Sequence, residues 1–401
     1  MTTHSDWQTV RFSDIADNSG ERVDDPSTSG ASRYVGLEHV DSGELTVTRW
    51  SDPSVVTATK LRFLAGDVIF GRRRVYQRKA AVAEFDGICS AHALVLRARR
   101  EYVAPEFLPA FLHSDTFVDR AVAISVGSLS PTINWKTLAR QEFSLPPLSE
   151  QRKIADLIWS FERTAQAKAT ALEAARQAEL TALAELYDEP GWPVRRVGEA
   201  GEVQLGMKRE PKVHQGTDLR PYLRVANVGD DELFLDDVLE MNFAPPAFAK
   251  YALRPKDVLL NEGQSLEYVG RAAMYRGEIE DCCFQMTLLR FRAGVDVLPE
   301  FALGWFRRCQ RLGAFARVAK RTTSMAHLPA GLLSAQPIPV PPLSIQQRVV
   351  ERLEAARALR TTLAEDLTQT RNLMQRTLNV LLQGPGASAE TTTAAALGCS
   401  A

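Results

Sequence analysis

Apolar residues in this chain change their spacing twice. Over residues 34–96 they fall in short runs broken by Gly and Asp, at 34–37, 45–47, 67–70, 80–82 and 93–96. Runs of this length, with many β-branched members, predict strands. Residues 105–121 take a helical spacing, and residues 134–145 lead into Pro146-Pro147. From Ser149 to Tyr187 the apolar positions step by three or four: Ile154, Ile158, Phe161, Ala165, Leu172, Ala175, Leu183 and Leu186, with Lys168 and Glu179 as interruptions. That spacing predicts one helix about 58 Å long, with Ser149 as its N-cap after prolines that no helix continues.

The whole pattern then returns. Pro146-Pro147-Leu148-Ser149-Glu150-Gln151-Arg152 reappears as Pro341-Pro342-Leu343-Ser344-Ile345-Gln346-Gln347-Arg348. Trp7 is echoed by Trp192, Tyr34 by Tyr222, Asp67-Val68 by Asp257-Val258, and Pro105-Glu106-Phe107 by Pro299-Glu300-Phe301. The offsets grow in order through 185, 188, 190, 194 and 195 residues, as in two related modules with small insertions. A second long helix is expected over residues 344–382, with a seam at Leu353, Ala356, Leu363, Leu367, Met374 and Leu381 interrupted by Arg360 and Thr370. The tail, residues 384–401, reads as disordered.

These elements give an α+β chain. Its expected divisions are a first β-rich module (1–148), a helix (149–189), a second module (190–343), a helix (344–383) and the tail. Two equal apolar seams are expected to pack as an antiparallel coiled coil, with the modules related by an approximate two-fold axis. The alternative is that each helix folds back on its own module.

The chain has 401 residues and a formal net charge of -1. That total does not announce a nucleic-acid binder, but the distribution is uneven. Residues 60–100 hold ten basic and three acidic side chains, and residues 305–325 hold Arg307, Arg308, Arg311, Arg317, Lys320 and Arg321 with no acid. Two such clusters read as two basic faces. Acids gather elsewhere, as in Asp230-Asp231-Glu232. The five cysteines show no metal-ligand spacing and read as reduced thiols. No window is apolar enough for a membrane span, and no leader is evident, so a cytoplasmic place is expected. His92 and His113 read as structural, and Phe301, Trp305 and Phe306 as core. No catalytic constellation, phosphate-binding Gly-Lys loop or Asn-Pro-Pro-Tyr-like box is present. Glu210-Pro211-Lys212 lacks the upstream Pro-Asp of a nuclease core.

The repeated proline-to-helix junction, with Gly66-Asp67-Val68-Ile69-Phe70-Gly71, Phe85-Asp86-Gly87, Ile133-Asn134-Trp135, Leu259-Leu260-Asn261-Glu262-Gly263, Val269-Gly270-Arg271 and Phe284-Gln285, resembles the specificity subunits of Type I restriction-modification systems. The resemblance spans residues 6–383. It implies two target-recognition domains held by two spacer helices, each domain reading half of a split double-stranded DNA target. It also implies a prokaryotic, non-enzymatic subunit that binds no cofactor or metal itself. Two methyltransferase subunits and restriction/translocase subunits would be its partners, carrying S-adenosylmethionine, ATP and Mg. Lys256 departs from the pattern where the first module has Gly66, as does Ile345 where it has Glu150. A scaffold that organises partner proteins without DNA is the competing reading.

Candidate readers follow from residue type. Arginine pairs with guanine and glutamine with adenine, while hydroxyls and cations hold phosphate. In the first module they are Arg72, Arg73, Arg74, Tyr76, Arg78 and Lys79, with Ser128, Ser130 and Thr132. In the second they are Lys208, Arg209 and Lys212, then Asn261, Glu262 and Gln264, then Lys320, Arg321, Thr322, Thr323 and Ser324.

Overall fold

A computed structural model of the protein describes residues 6–209, 216–322 and 325–383. The tail and the segment around Lys212 lie outside the described residues, as do Thr323 and Ser324. The chain forms two compact units, residues 1–171 with 363–401, and residues 172–362, so each unit takes half of each long helix. The class is α+β, as expected.

In the first unit, β1 (Gln8–Arg11) pairs antiparallel with β10 (Glu142–Leu145) just ahead of the first long helix. One sheet has the order β2-β9-β6-β7: β2 (Ala16–Asn18), β9 (Ala93–Ala98), β6 (Val68–Gly71) and β7 (Ala80–Val82). A second has the order β3-β5-β8-β4: β3 (Glu21–Val23), β5 (Lys60–Phe63), β8 (Gly87–Ser90) and β4 (Tyr34–Val35), the last two parallel. The single helix expected over 105–121 is two, Phe107–His113 and Asp115–Ala123, because Ser114 leaves helical geometry and caps the second with its hydroxyl. The core packs Phe12, Phe70, Phe111, Phe117 and Phe143 against Ile154 and Ile158 of the first long helix and Met374 and Leu378 of the second.

The second unit repeats the strand pair and the first sheet of this order. β11 (Val194–Arg196) pairs with β22 (Pro337–Pro339). A sheet of order β12-β19-β15-β17 is built from β12 (Gly201–Leu205), β19 (Leu288–Ala293), β15 (Val258–Asn261) and β17 (Ala272–Met274). β13 (Leu219–Leu223) pairs in parallel with β18 (Cys283–Phe284), as β4 does with β8, and β14 (Leu239–Asn242) completes that sheet. A last sheet has the order β16-β21-β20: β16 (Gly263–Gln264), β21 (Ala326–His327) and β20 (Lys320–Arg321).

Repeated residues hold repeated positions. Asp67 binds Arg97 through two bonds of 2.7 and 2.8 Å, and Asp257 binds Arg292 through two of 2.7 Å. Ahead of each aspartate the backbone turns left-handed, with φ +91° at Gly66 and +77° at Lys256. The turn is thus kept in the second module although a side chain is strained there.

The junction motif works through its glutamine. Gln151 is buried; its Oε1 accepts from Ala104 N, and its Nε2 donates to the carbonyls of Tyr102 and Pro146. Gln346 is buried likewise, accepting from Leu298 N and donating to Asp296 and Pro341. Each glutamine therefore fastens the start of a long helix to the main chain of the module before it. The helices run Leu148–Glu185 and Leu343–Leu381. Ser149 sits inside the first turn rather than capping it, because Pro147 O already accepts from Glu150 N and Gln151 N.

Within each unit the helix halves pack antiparallel. In the first, Ile154 and Ile158 share a core with Met374 and Leu378, while Lys168 Nζ reaches Thr370 Oγ1 at 3.0 Å and Asp366 Oδ2 at 3.4 Å. In the second, Glu179 binds Arg360 at 2.7 Å, and Leu183 and Tyr187 cluster with Val349, Val350 and Leu353. The polar residues that interrupt one seam meet those that interrupt the other.

Candidate nucleic-acid interface

Most cations of the two basic clusters are committed inside the protein. Arg62 faces Glu21, Arg97 holds Asp67 and Arg99 holds Asp17. Arg78 binds Asp115 and the His113 carbonyl, and Lys79 Nζ donates to Leu37 O at 2.6 Å. Both were candidate readers, and both side chains bind their own module here.

The expected basic face over residues 305–325 is corrected by the structure. Arg307 is buried against Glu179 and Asp230 at 2.9 Å each and Asp231 at 3.6 Å. Burial opposes its charge, yet the hydrogen bond it donates to Asp230 and the three carboxylates hold its pKa above the ordinary arginine value. Arg308 binds Asp188 and Ala184 O, Arg311 binds Asp230, and Arg317 binds Leu312 O. Burial would raise the Asp230 pKa, but Arg307 and Arg311 keep it low. The acid run that looked separate is the partner of this cluster. Nor do the two clusters occupy equivalent places, since an offset near 190 carries residues 60–100 onto the strands of the second unit.

Several of the exposed candidate readers gather at one loop junction in each unit. In the first, Arg73 bridges Thr132, and Thr132 bridges Val126. Arg74 N donates to Pro131 O at 2.8 Å, and Arg74 stands in left-handed geometry at φ 53°. The loop after β6 and the 126–132 loop are thus one structure. Arg73, Arg74, Tyr76 and Ser128 are exposed, with Ser130 and Thr132 half-buried and joined by a 3.1 Å bond from Thr132 Oγ1 to Ser130 O. Arg72 is half-buried, and its Nε is buried without a partner among the described residues. His92 is exposed beside them. Desolvation, then the charges of Arg73, Arg72 and Lys60, push its pKa below the usual histidine value, as a positive surface would.

In the second unit, Gly263 and Lys320 both pair with His327, and Gln264 and Arg321 with Ala326. The offsets from the first junction are 190 for Arg73 and Gly263, 195 for Thr132 and His327, and 194 for Val126 and Lys320. Here Glu262 Oε2 lies 3.1 Å from His327 Nδ1, Asn261 is buried with Oδ1 lacking a partner among the described residues, and Gln264 Oε1 accepts from Ser265 N. Lys320, Arg321 and Thr322 are exposed, and Thr322 Oγ1 donates to Met325 O at 3.1 Å. Lys208 and Arg209 are exposed just after Met207, which bridges Gln285. A β-carbon on Gly206 would lie 2.3 Å from Gln285 O, so only glycine fits there.

His327 and His92 were not among the candidates. The signal for His327 was available, because adding 195 to Thr132 names it. His92 carried no such signal, since its neighbours Arg72 and Arg73 lie about twenty residues away in sequence. Among the described residues no helix is long and apolar enough to cross a membrane.

Residues 4–181 match the family described as the Type I restriction modification DNA specificity domain. A stretch of 155 residues is 28% identical to the EcoDI specificity subunit of a type I restriction enzyme from Escherichia coli; it spans 37% of this chain and a third (33%) of that relative's own length. A solved chain described under "complex assembly and conformational transition of the type I R-M system" is 24% identical, with a TM-score of 0.63 over 95% of this chain and 98% of its own. The type I S subunit from M. genitalium, 13% identical, has a TM-score of 0.54 over 95% of this chain and 97% of its own. The resemblance to type I specificity subunits read from the sequence is thus borne out, in the domain that residues 4–181 match and in the fold.

Proposed function

We propose that this chain is the DNA-reading, non-catalytic subunit of a type I restriction-modification complex, working in the prokaryotic cytoplasm. Each module reads one half of a split double-stranded target. The paired helices set the gap between the halves and present the chain to two methyltransferase subunits and to restriction/translocase subunits. S-adenosylmethionine, ATP and Mg belong to those partners.

One observation carries this reading. The same loop junction occurs in both units with the same backbone pairing, yet it carries Arg72, Arg73, Arg74 and Thr132 in one and Glu262, Gln264 and His327 in the other. A frame kept while its displayed side chains change suits two sites that discriminate different sequences. Arginine, glutamine and glutamate present distinct donor and acceptor patterns to base edges in the major groove. Exposed Arg73, Arg74, Lys320 and Arg321 supply the sequence-independent hold on phosphate.

The test is methylation mapping in a host that carries the chain with its methyltransferase partner. A split motif is expected. Deleting one helical turn, about four residues, from facing positions of both long helices is expected to shorten the gap and leave both half-sites unchanged. Altered half-sites at an unchanged gap would contradict the spacer role. Absence of any sequence preference would favour the DNA-free scaffold.

A further inference from the structure

Resting on that reading, we infer that Arg72 and Glu262 are the matched base readers of the two modules, Arg72 for a guanine and Glu262 for a cytosine. Their equivalence stands on the backbone. Arg72 N donates to His92 O at 3.2 Å, and Arg72 O accepts from Ile133 N at 2.9 Å. Glu262 N donates to Thr287 O at 2.9 Å, and Glu262 O accepts from Leu328 N at 2.7 Å. The offsets are 190 for the reader and 195 for both partners. Two main-chain bonds to equivalent partners thus hold these residues in the same place in each module.

A residue at that place does not hold phosphate. Phosphate contacts need a cation or a neutral donor, and the second module puts a carboxylate there. A site that accepts either charge in the same frame faces the part of DNA whose charge pattern varies, which is the base edge.

The two side chains then select opposite partners. Among the described residues Arg72 Nε is buried without an acceptor, which leaves the terminal nitrogens of the half-buried guanidinium to face a base. Guanine O6 and N7 form the adjacent acceptor pair that a guanidinium edge matches. Glu262 offers acceptors only, and its Oε2 lies 3.1 Å from His327 Nδ1, which fixes the carboxylate. A carboxylate takes the cytosine N4 amino group. Adenine presents N7, itself an acceptor, beside its N6 amino group, so a carboxylate set against that edge meets repulsion. His327 acts through Glu262 as a positioning residue. Arg73 and Arg74, exposed beside Arg72, are left for phosphate.

The experiment maps methylated sites for the full chain with its methyltransferase partner, for wild type, Arg72→Gln, Arg72→Lys and Glu262→Gln. The expected wild-type motif has a guanine in one half and a cytosine in the other. Arg72→Gln relaxes the guanine alone, with discrimination falling roughly five- to hundredfold. Glu262→Gln moves the cytosine toward adenine, because an amide donates and accepts. In each variant the untouched half-site reports that the protein is folded. If Arg72→Gln abolishes methylation altogether, Arg72→Lys must still weaken the guanine preference. A split motif whose half-sites are unchanged in all three variants overturns the inference and leaves the proposed function standing. No split motif in the wild type overturns both.

Discussion

At the scale of single residues, the first module hides an acid-sensitive group. The His113 ring is buried, with Nε2 2.6 Å from Ala80 O. Burial, aided by the Arg78 charge and against the help of backbone bonds to Ala80 and Glu44, lowers its pKa from 6.5 to about 4. Between those values the unfolded chain binds the proton and the folded chain does not, so the fold weakens as pH falls through that window. The loss reaches about 3 kcal/mol by pH 4. Urea unfolding between pH 7 and pH 4.5 is expected to show a steeper loss for wild type than for His113→Gln, which has no ring to protonate. Parallel pH dependences in the two proteins would show that another group governs acid sensitivity.

The elements of this fold are held by a few buried polar side chains at their ends. Replacing Gln151 with Leu strands Ala104 N and the carbonyls of Tyr102 and Pro146. Unmet buried groups cost about 1–3 kcal/mol each, and solvent reaching the helix start recovers part of that. A net loss of about 3 kcal/mol is expected, with faster amide hydrogen exchange at Ala104 and through the first helical turns. Unchanged protection at Ala104 would rule out the fastening role. The long helices themselves were legible in the sequence to within two residues, because their signal is local: a repeated spacing after a proline pair. Of the expected strands, those at 34–37, 67–70, 80–82 and 93–96 hold β4, β6, β7 and β9, whereas 45–47 keeps only the Thr46–Val82 bridge, and β5 and β8 were not foreseen. The fate of the charges was not legible. Arg307 finds Asp230 77 residues away and Glu179 128 residues away, and no local pattern marks either pairing. The loop junction proposed to read DNA was half legible. Residue type named Arg72 and Glu262 separately, but only strand register joins each to the loop that carries Thr132 or His327.

Over the whole molecule, the near-zero net charge reflects internal cancellation. In the second unit Glu179 binds both Arg307 and Arg360, and the carboxylate is buried. Glu179→Ala leaves two guanidiniums without that partner. Breaking a buried pair in this way costs about 3–5 kcal/mol, moderated here because Arg307 keeps Asp230 and Asp231. Because each unit has its own core, the loss is expected to speed amide exchange in the helix Pro299–Arg311 while the sheet β2-β9-β6-β7 keeps its protection. Equal loss in both would show that the units unfold as one.

The glutamine at the head of each long helix touches only peptide groups of the module it secures. Such a grip is blind to what its neighbours' side chains become. Tyr102, Ala104 and Pro146 serve Gln151 through atoms that every residue owns, and Asp296 and Leu298 serve Gln346 in the same manner. The exposed loops of each module can therefore change their side chains without any change to the joint that carries them.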